Sequence, residues 1–146
     1  MSQEDIRLCG RFFDEVCNKR QLDTADQLFS ANHIYHDPSS PWVGPGPGGM
    51  KELIGAYHRA VNDAHWDVHV MMKAGDVVIT RWTGRGTHTG DLLGIPPTGK
   101  TVKVDGIWMH CVSSGRIVES WNCWDMLGML QQLGVIPTMG AMRSAA

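Results

Sequence analysis

Residues 76–112 read DVVITRWTGRGTHTGDLLGIPPTGKTVKVDGIWMHCV, two alternating stretches joined by a loop rich in glycine and proline. The alternation of apolar and polar residues on either side of the loop predicts two half-buried β-strands. Residues 86–100, between them, have the glycines, hydroxyl groups and closing lysine of a phosphate-binding loop. However, a strand follows this loop, and not the helix N-terminus that receives an anion. We therefore interpret residues 86–100 as a long hairpin connection that Pro96 and Pro97 stiffen.

The same period of two extends on both sides of this hairpin. Residues 65–72 and 116–125 are two further strand candidates. The short connections at residues 74–76 and 113–115 contain glycine and are typical of hairpins. The four strands are therefore expected to form an antiparallel meander.

Helical periodicity marks the rest of the chain. Apolar residues recur at steps of three and four from Ile6 to Cys17, which predicts a first helix. A short second helix follows, with Asp23 or Thr24 as its cap, and a third helix covers residues 50–63. The last helix is predicted over residues 125–134, with Asp125 at its N-cap and Gly134 just beyond its C-terminus.

Helices followed by a curved meander predict an α+β fold with an internal pocket. A chain of 146 residues suits one domain. We expect residues 1–146 to form it, with a core over residues 4–136 and a flexible C-terminal tail. The six tryptophans and nine methionines can line an apolar cavity or fill a core.

Composition excludes several classes of partner. The net charge of −2 and the lack of a basic run argue against nucleic acid. We find no apolar stretch long enough for a membrane span, and the acidic N-terminus lacks an apolar signal region. Four cysteines without a CxxC pair are expected to be reduced and buried. Together these features predict a cytoplasmic protein.

Three stretches resemble a known family: residues 75–107, residues 115–134 and the YHDP of residues 35–38. The pattern GTHxGxxxGxPPTGK, followed by W, D and QLG, is similar to the SnoaL-like polyketide cyclases, or ester cyclases, of the NTF2-like superfamily. The resemblance implies a cone-shaped α+β barrel, with N-terminal helices packed in a curved antiparallel sheet. It also implies a hydrophobic small-molecule substrate, no cofactor, and a homodimer or higher homo-oligomer.

The strand before the last helix ends on a candidate catalytic carboxylate. Trp121, Cys123 and Asp125 share one strand face, so Asp125 ends a largely apolar row. An apolar pocket disfavours the charged form of a carboxylate, which suits proton transfer. Family cyclases close a ring by intramolecular aldol condensation with one carboxylic acid as acid/base, and the matching position here is Asp125. The alternative is that Asp125 only caps the helix.

Two histidines and a second carboxylate are further candidates. His110 shares a strand face with Trp108 and, if it faces the cavity, can stabilise an enolate by donating to a carbonyl oxygen. His36 and Asp37 lie in the YHDP motif, and Asp37 resembles the general base of ketosteroid isomerases. The alternatives are that His110 has only a structural role and that Asp37 belongs to an Asp-Pro turn. Which of Asp37 and Asp125 is the main acid/base stays open.

Aromatic side chains are expected to line or support the pocket. The predicted set is Trp82, Trp108, Trp121 and Trp124. His88 is expected to reach the ligand from the long hairpin loop. The histidine spacings His33-x-x-His36 and His65-x-x-x-His69 look ligand-like, but the second lies on a polar strand face. No metal site is predicted.

We therefore predict a cofactor-independent enzyme that acts on a hydrophobic carbonyl compound by acid/base chemistry, most simply a polyketide or ester cyclase. The superfamily also contains non-catalytic proteins, so a small-molecule-binding protein is the alternative. A hydroxylase-type relative is a weaker one. An epoxide-hydrolase-type relative would need an Asp-Arg-Asp set, and only Arg81 and Asp105 offer themselves for it.

Overall fold

The computed structural model describes residues 2–140, and residues 141–146 of the predicted tail lie outside them. Helix α1 (Ser2–Arg11) continues as a π-helical segment (Phe12–Asn18), and a 3₁₀ turn (Leu22–Thr24) leads into α2 (Ala25–Leu28). The other helices are α3 (Gly46–Ala60) and α4 (Met126–Gln132). The strands are β1 (Phe29–His36), β2 (His65–Ala74), β3 (Val77–Thr87), β4 (Thr101–Ser113) and β5 (Arg116–Trp124).

The five described strands form one curved sheet in the order β1-β5-β4-β3-β2. Strands β2 to β5 are antiparallel neighbours, so the predicted meander and the α+β class are confirmed. Strand β1 was predicted only as an extended stretch from Ile34; it begins at Phe29 and pairs in parallel with β5. The sheet is therefore mixed and open, and not a closed antiparallel barrel.

The first helix packs its apolar stripe against the concave face of the sheet. The buried side chains of the stripe are Cys9, Phe12, Phe13, Val16 and Cys17. Their three- and four-residue spacing places them on one side of the helix, as the sequence predicts. The ring of Phe12 contacts that of Trp108 edge-on, with centroids 4.8 Å apart. The helix therefore closes one side of the interior that the sheet curves around.

Some local predictions are corrected. Helix α3 begins at Gly46, four residues before the predicted start, because Pro47 is well tolerated in a first helical turn. Thr24 precedes α2 but its side chain makes no capping hydrogen bond. Cys111 is only partly buried and Cys123 is exposed, which contradicts the expectation that all four cysteines are buried.

The loop at residues 88–100 is a hairpin connection, as predicted. The His88 N–H donates to the Lys100 carbonyl at 2.8 Å, and the Gly99 N–H donates to the His88 carbonyl at 2.9 Å. The Gly90 N–H donates to the carbonyl oxygen of Ala60, and a Cβ on Gly90 would collide with the neighbouring carbonyl of Arg59. This close approach ties the loop to the C-terminal end of α3.

Strand β4 shows which sheet face is buried. Its even-numbered residues from Val102 to Val112 are buried, and most of its odd-numbered residues are exposed. The even-numbered residues face the helices and the odd-numbered residues face outward, as the period of two requires.

Among the described residues, no helix is long and apolar enough to cross a membrane.

Candidate functional site

The concave sheet face and helix α3 enclose a pocket. It contains about 570 Å³ of space between protein atoms, including solvent at its mouth. Four tryptophans line it: Trp66, Trp82, Trp108 and Trp124. Aliphatic side chains of α3 and β4, with Met129 of α4, form most of the remaining lining. Its apolar walls suit a hydrophobic small molecule.

Two polar residues, His65 and Arg85, border this pocket, and their side chains lie on the outer side of the sheet, where Arg85 is about half exposed. The Arg85 Nε–H donates to Asp67 Oδ2 at 2.9 Å, and this hydrogen bond lowers the pKa of Asp67 below its usual value. This ion pair therefore belongs to the outer face of the sheet, and the pocket itself is apolar.

Three of the four predicted tryptophans lie at the pocket. Trp82, Trp108 and Trp124 line it, whereas Trp121 lies on the outer sheet face with 38% of its surface exposed. Trp66 was not among the predicted site residues. The sequence contains the pattern that identifies it, because Trp66 alternates with the polar His65 on β2 and so belongs to the inner face.

Asp125 does not line the pocket. Its side chain is exposed, and its Oδ1 accepts from the Gly128 N–H at 2.8 Å, which caps α4 as the alternative reading predicted. The predicted apolar row is on the wrong face: Trp121 and Cys123 point outward, while Asn122 is buried. The register explains this, because Asn122 pairs with the inward-facing Trp108.

His110 lies in the core beside the pocket and not on its lining. Its Nδ1 is 2.6 Å from the Oγ of Ser120, and the Nε2 of His33 is 2.8 Å from the same oxygen. Phe12 and Phe29 pack on the His110 ring. Burial lowers the pKa of His33 to about 4 and the pKa of His110 well below its usual value. Both rings are therefore neutral near pH 7.

Asp37 is the buried carboxylate next to the pocket. Its Oδ2 accepts from the Tyr35 hydroxyl at 2.6 Å and from the Trp124 Nε1–H at 3.2 Å, and its Oδ1 accepts from the Ser39 N–H at 2.8 Å. The Asn122 amide donates to the Tyr35 oxygen at 3.1 Å. Burial, and then the bond to Asp37, raises the pKa of Tyr35 above its usual value, so the phenol keeps its proton. Hydrogen bonds thus connect two pocket-lining residues to Asp37: Trp124 directly, and Asn122 through Tyr35.

The remaining predicted histidines lie away from the pocket lining. His36 is on the outer face, where it stacks on Trp121 and its Nε2 is 2.6 Å from Glu119 Oε2. His88 is buried, and its Nδ1 accepts from the Thr98 N–H at 3.2 Å, which fastens the long hairpin loop. The sequence analysis predicted that both side chains lie near the ligand. In the structure they make their contacts away from the pocket lining.

The pocket lining carries polar atoms without partners among the described residues. They are the Nε1 atoms of Trp82 and Trp108 and the Oδ1 of Asn122, and all three are buried. Buried polar groups are usually hydrogen-bonded, so these two donors and one acceptor are exceptions among the lining residues. No Asp or Glu is among the described side chains that line the pocket.

Other chemistries find little support in the geometry. Residues 2–140 contain no group of three or more His, Cys, Asp or Glu side chains arranged to hold a metal ion. Arg81 and Asp105, the pair needed for an epoxide-hydrolase set, are both exposed on the outer face of the sheet. They are therefore separated from the pocket by the sheet itself.

The curved open sheet, the helices in its concavity and the apolar pocket define an NTF2-like α+β protein. A family model described as SnoaL-like polyketide cyclase matches residues 7–133, and the chain belongs to this family. A comparison with curated proteins found no match.

Solved structures share this fold over nearly their whole length. A candidate polyketide cyclase from Acidithiobacillus ferrooxidans is 28% identical, with a TM-score of 0.80 over 90% of this chain and 95% of that chain. IdmH, a candidate polyketide cyclase from Streptomyces antibioticus, is 28% identical, with a TM-score of 0.75 over 89% and 98%. AclR, a candidate hydroxylase from Streptomyces galilaeus, is 24% identical, with a TM-score of 0.81 over 94% and 100%, and shows the fold alone.

Proposed function

We propose that this chain is a cofactor-independent cyclase-type enzyme that binds a hydrophobic carbonyl compound in the tryptophan-lined pocket. The observation that carries the proposal is the hydrogen-bonded path from the lining to a buried carboxylate. Trp124 donates directly to Asp37, and Asn122 reaches it through Tyr35. Acid/base chemistry needs a carboxylate within hydrogen-bond reach of the ligand, directly or through one water, and Asp37 lies one hydrogen bond behind the lining.

The proposed reaction is an intramolecular aldol closure. Asp37 takes a proton from the carbon next to a carbonyl group, and the resulting enolate carbon attacks a second carbonyl of the same molecule. The proton then passes from Asp37 to the new alkoxide oxygen, so no other reactant is consumed. The indole N–H groups of Trp82 and Trp108 donate to the carbonyl oxygens that become negative. They take the role that the sequence assigned to His110 and His36.

Asp125 is the rival acid/base, because the family resemblance points to its position. It directly follows the pocket-lining Trp124, but one of its carboxylate oxygens already accepts the capping hydrogen bond from Gly128. Asp37 is buried and one hydrogen bond from the lining, whereas Asp125 is exposed. Burial beside the lining therefore favours Asp37, and not its free hydrogen-bonding capacity, because both of its carboxylate oxygens also accept hydrogen bonds.

Exchange of the α-protons of α-tetralone, a bicyclic aromatic ketone, into deuterated solvent tests the proposal by NMR. The wild type should accelerate exchange, and Asp37→Asn should lower that rate about a hundredfold, the usual minimum for a lost acid/base. Asp125→Asn is the matched control, because asparagine also caps helices. Normal exchange in Asp37→Asn and lost exchange in Asp125→Asn would assign the role to Asp125 instead.

A non-catalytic binding protein is the second candidate. The observation in its favour is that no described Asp or Glu side chain lines the pocket. This candidate predicts that α-tetralone binds to the wild type without any acceleration of exchange. Calorimetry and the exchange assay on the same sample distinguish the two candidates.

The proposed assembly is a homodimer through the outer sheet face. Ile107, Met109 and Trp121 are between one third and one half exposed there, and Met109 is the register partner of Trp121. Adjacent exposed apolar side chains on neighbouring strands form a patch of the kind that interfaces cover. A second copy of the chain, related by a two-fold axis, would present the same patch and cover it.

A further inference from the structure

One inward row of the sheet reads tryptophan, glycine, tryptophan across three strands. Trp82 of β3 pairs with Gly106 of β4, and Gly106 pairs with Trp124 of β5. Both indoles line the pocket. The middle residue of the row therefore contributes no side chain at the point where two large aromatic groups flank it.

The backbone at this position does not require glycine. Gly106 is not among the glycines with a positive φ, and neither is Gly84, two residues after Trp82. Glycine in the interior of a strand weakens the strand, and it often marks a close approach of another group. The reason for glycine here must therefore be space.

The space is filled by the indole of Trp82. A Cβ on Gly106 would lie 2.6 Å from Cε2 of Trp82 and 2.8 Å from Cβ of Trp124, distances that real Cβ atoms essentially never show. A Cβ on Gly84 would lie 3.1 Å from Cζ3 of Trp82, a tight but adjustable contact. The indole therefore lies against the backbone of two strands.

We propose that Gly106, assisted by Gly84, sets the depth of the pocket and is a specificity-determining residue for the size of the ligand. The sheet backbone lies on one side of the Trp82 ring and the pocket on the other. A side chain at residue 106 pushes the ring into the pocket and shortens the space for fused rings. This inference rests on the proposed function, because it takes the pocket to be the ligand site.

Binding of two ketones of different size tests the inference. The probes are α-tetralone, with two fused rings, and anthrone, with three, and their dissociation constants are measured by calorimetry. Gly106→Ala should raise the constant for anthrone about tenfold and change that for α-tetralone less than about threefold. Gly84→Ala should show a smaller effect of the same kind. Gly10→Ala is the control, because a Cβ there meets nothing within 4 Å.

A second variant keeps the test decisive if Gly106→Ala does not fold. Trp82→Leu removes the ring that the new Cβ meets and leaves only its contact with Cβ of Trp124, so Trp82→Leu/Gly106→Ala should fold and bind anthrone within about threefold of Trp82→Leu alone. A double variant that is again about tenfold weaker than Trp82→Leu would overturn the inference. So would a folded Gly106→Ala that binds both ketones like the wild type.

The outcomes separate this inference from the proposed function. If the wild type binds both ketones and Gly106→Ala does not discriminate between them, only the role of Gly106 is wrong. If the wild type and Trp82→Leu bind neither ketone, the pocket is not the ligand site and both proposals fail.

Discussion

One hydroxyl group joins two histidine rings in the core. The Oγ of Ser120 lies within hydrogen-bond distance of both His33 and His110. A serine hydroxyl has a single proton, so it donates to one ring and accepts an N–H from the other, which fits two neutral imidazoles. A charge on either ring would place an ion among phenylalanine rings. Burial therefore favours the neutral form of both histidines.

Acid should destabilise the fold through this cluster. Burial lowers the pKa of His33 from 6.5 to about 4, so between those values the unfolded chain binds a proton that the folded chain excludes. The contribution is fully present above pH 6.5 and is lost as the pH falls toward 4, by about 3 kcal/mol in total.

Urea unfolding between about pH 7 and pH 4 measures this loss. His33→Gln keeps a polar atom near Ser120 but does not titrate, so its unfolding free energy should fall less over the same range. The same fall in both proteins would show that His33 is not responsible.

At the level of the elements, the sequence predicts the existence of strands β2 to β5 well and that of strand β1 poorly. In β4 the alternation is clean, so the inward positions of Trp108 and His110 could be read directly. In β5 the apolar Trp121 and Cys123 face outward, so hydrophobicity alone selected the wrong face. The register with β4, which decides the matter, is a non-local property.

Strand β1 was missed for a related reason. Its partner β5 begins 80 residues later at Arg116, and a parallel pair has no hairpin turn to announce it. Asp37 follows this strand, so its closeness to Trp124 could not be derived from local pattern either. The residue types of the site were predictable; their grouping around the buried carboxylate was not.

At the scale of the whole molecule, tryptophan side chains lie in two different environments. Trp82, Trp108 and Trp124 line the interior, while Trp121 belongs to the exposed patch of the outer face. In the proposed function and assembly, the first group contacts a ligand and the second contacts another copy of the chain. Under the proposed assembly a second copy covers this apolar outer face, and its apolar residues are the ones that suggested the wrong inward face for β5.

A charge in the outer patch should separate the proposed dimer. Ile107→Asp places a carboxylate at a residue that is 48% exposed, so the isolated chain should still fold. Light scattering after gel filtration should give twice the chain mass for the wild type and a single chain mass for the variant. Leu127→Asp, at an exposed apolar residue of α4, is the control and should remain dimeric. A monomeric wild type would contradict the proposed assembly.

The central claim, that the interior pocket is the ligand site, is tested most directly by fluorine NMR. Protein labelled with fluorotryptophan has one signal for each of its six tryptophans, and single Trp→Phe variants assign them. Titration with α-tetralone should shift the signals of the four pocket tryptophans, Trp66, Trp82, Trp108 and Trp124, and leave those of Trp42 and Trp121 in place. Shifts confined to Trp42 or Trp121, with the four interior signals unmoved, would contradict this claim.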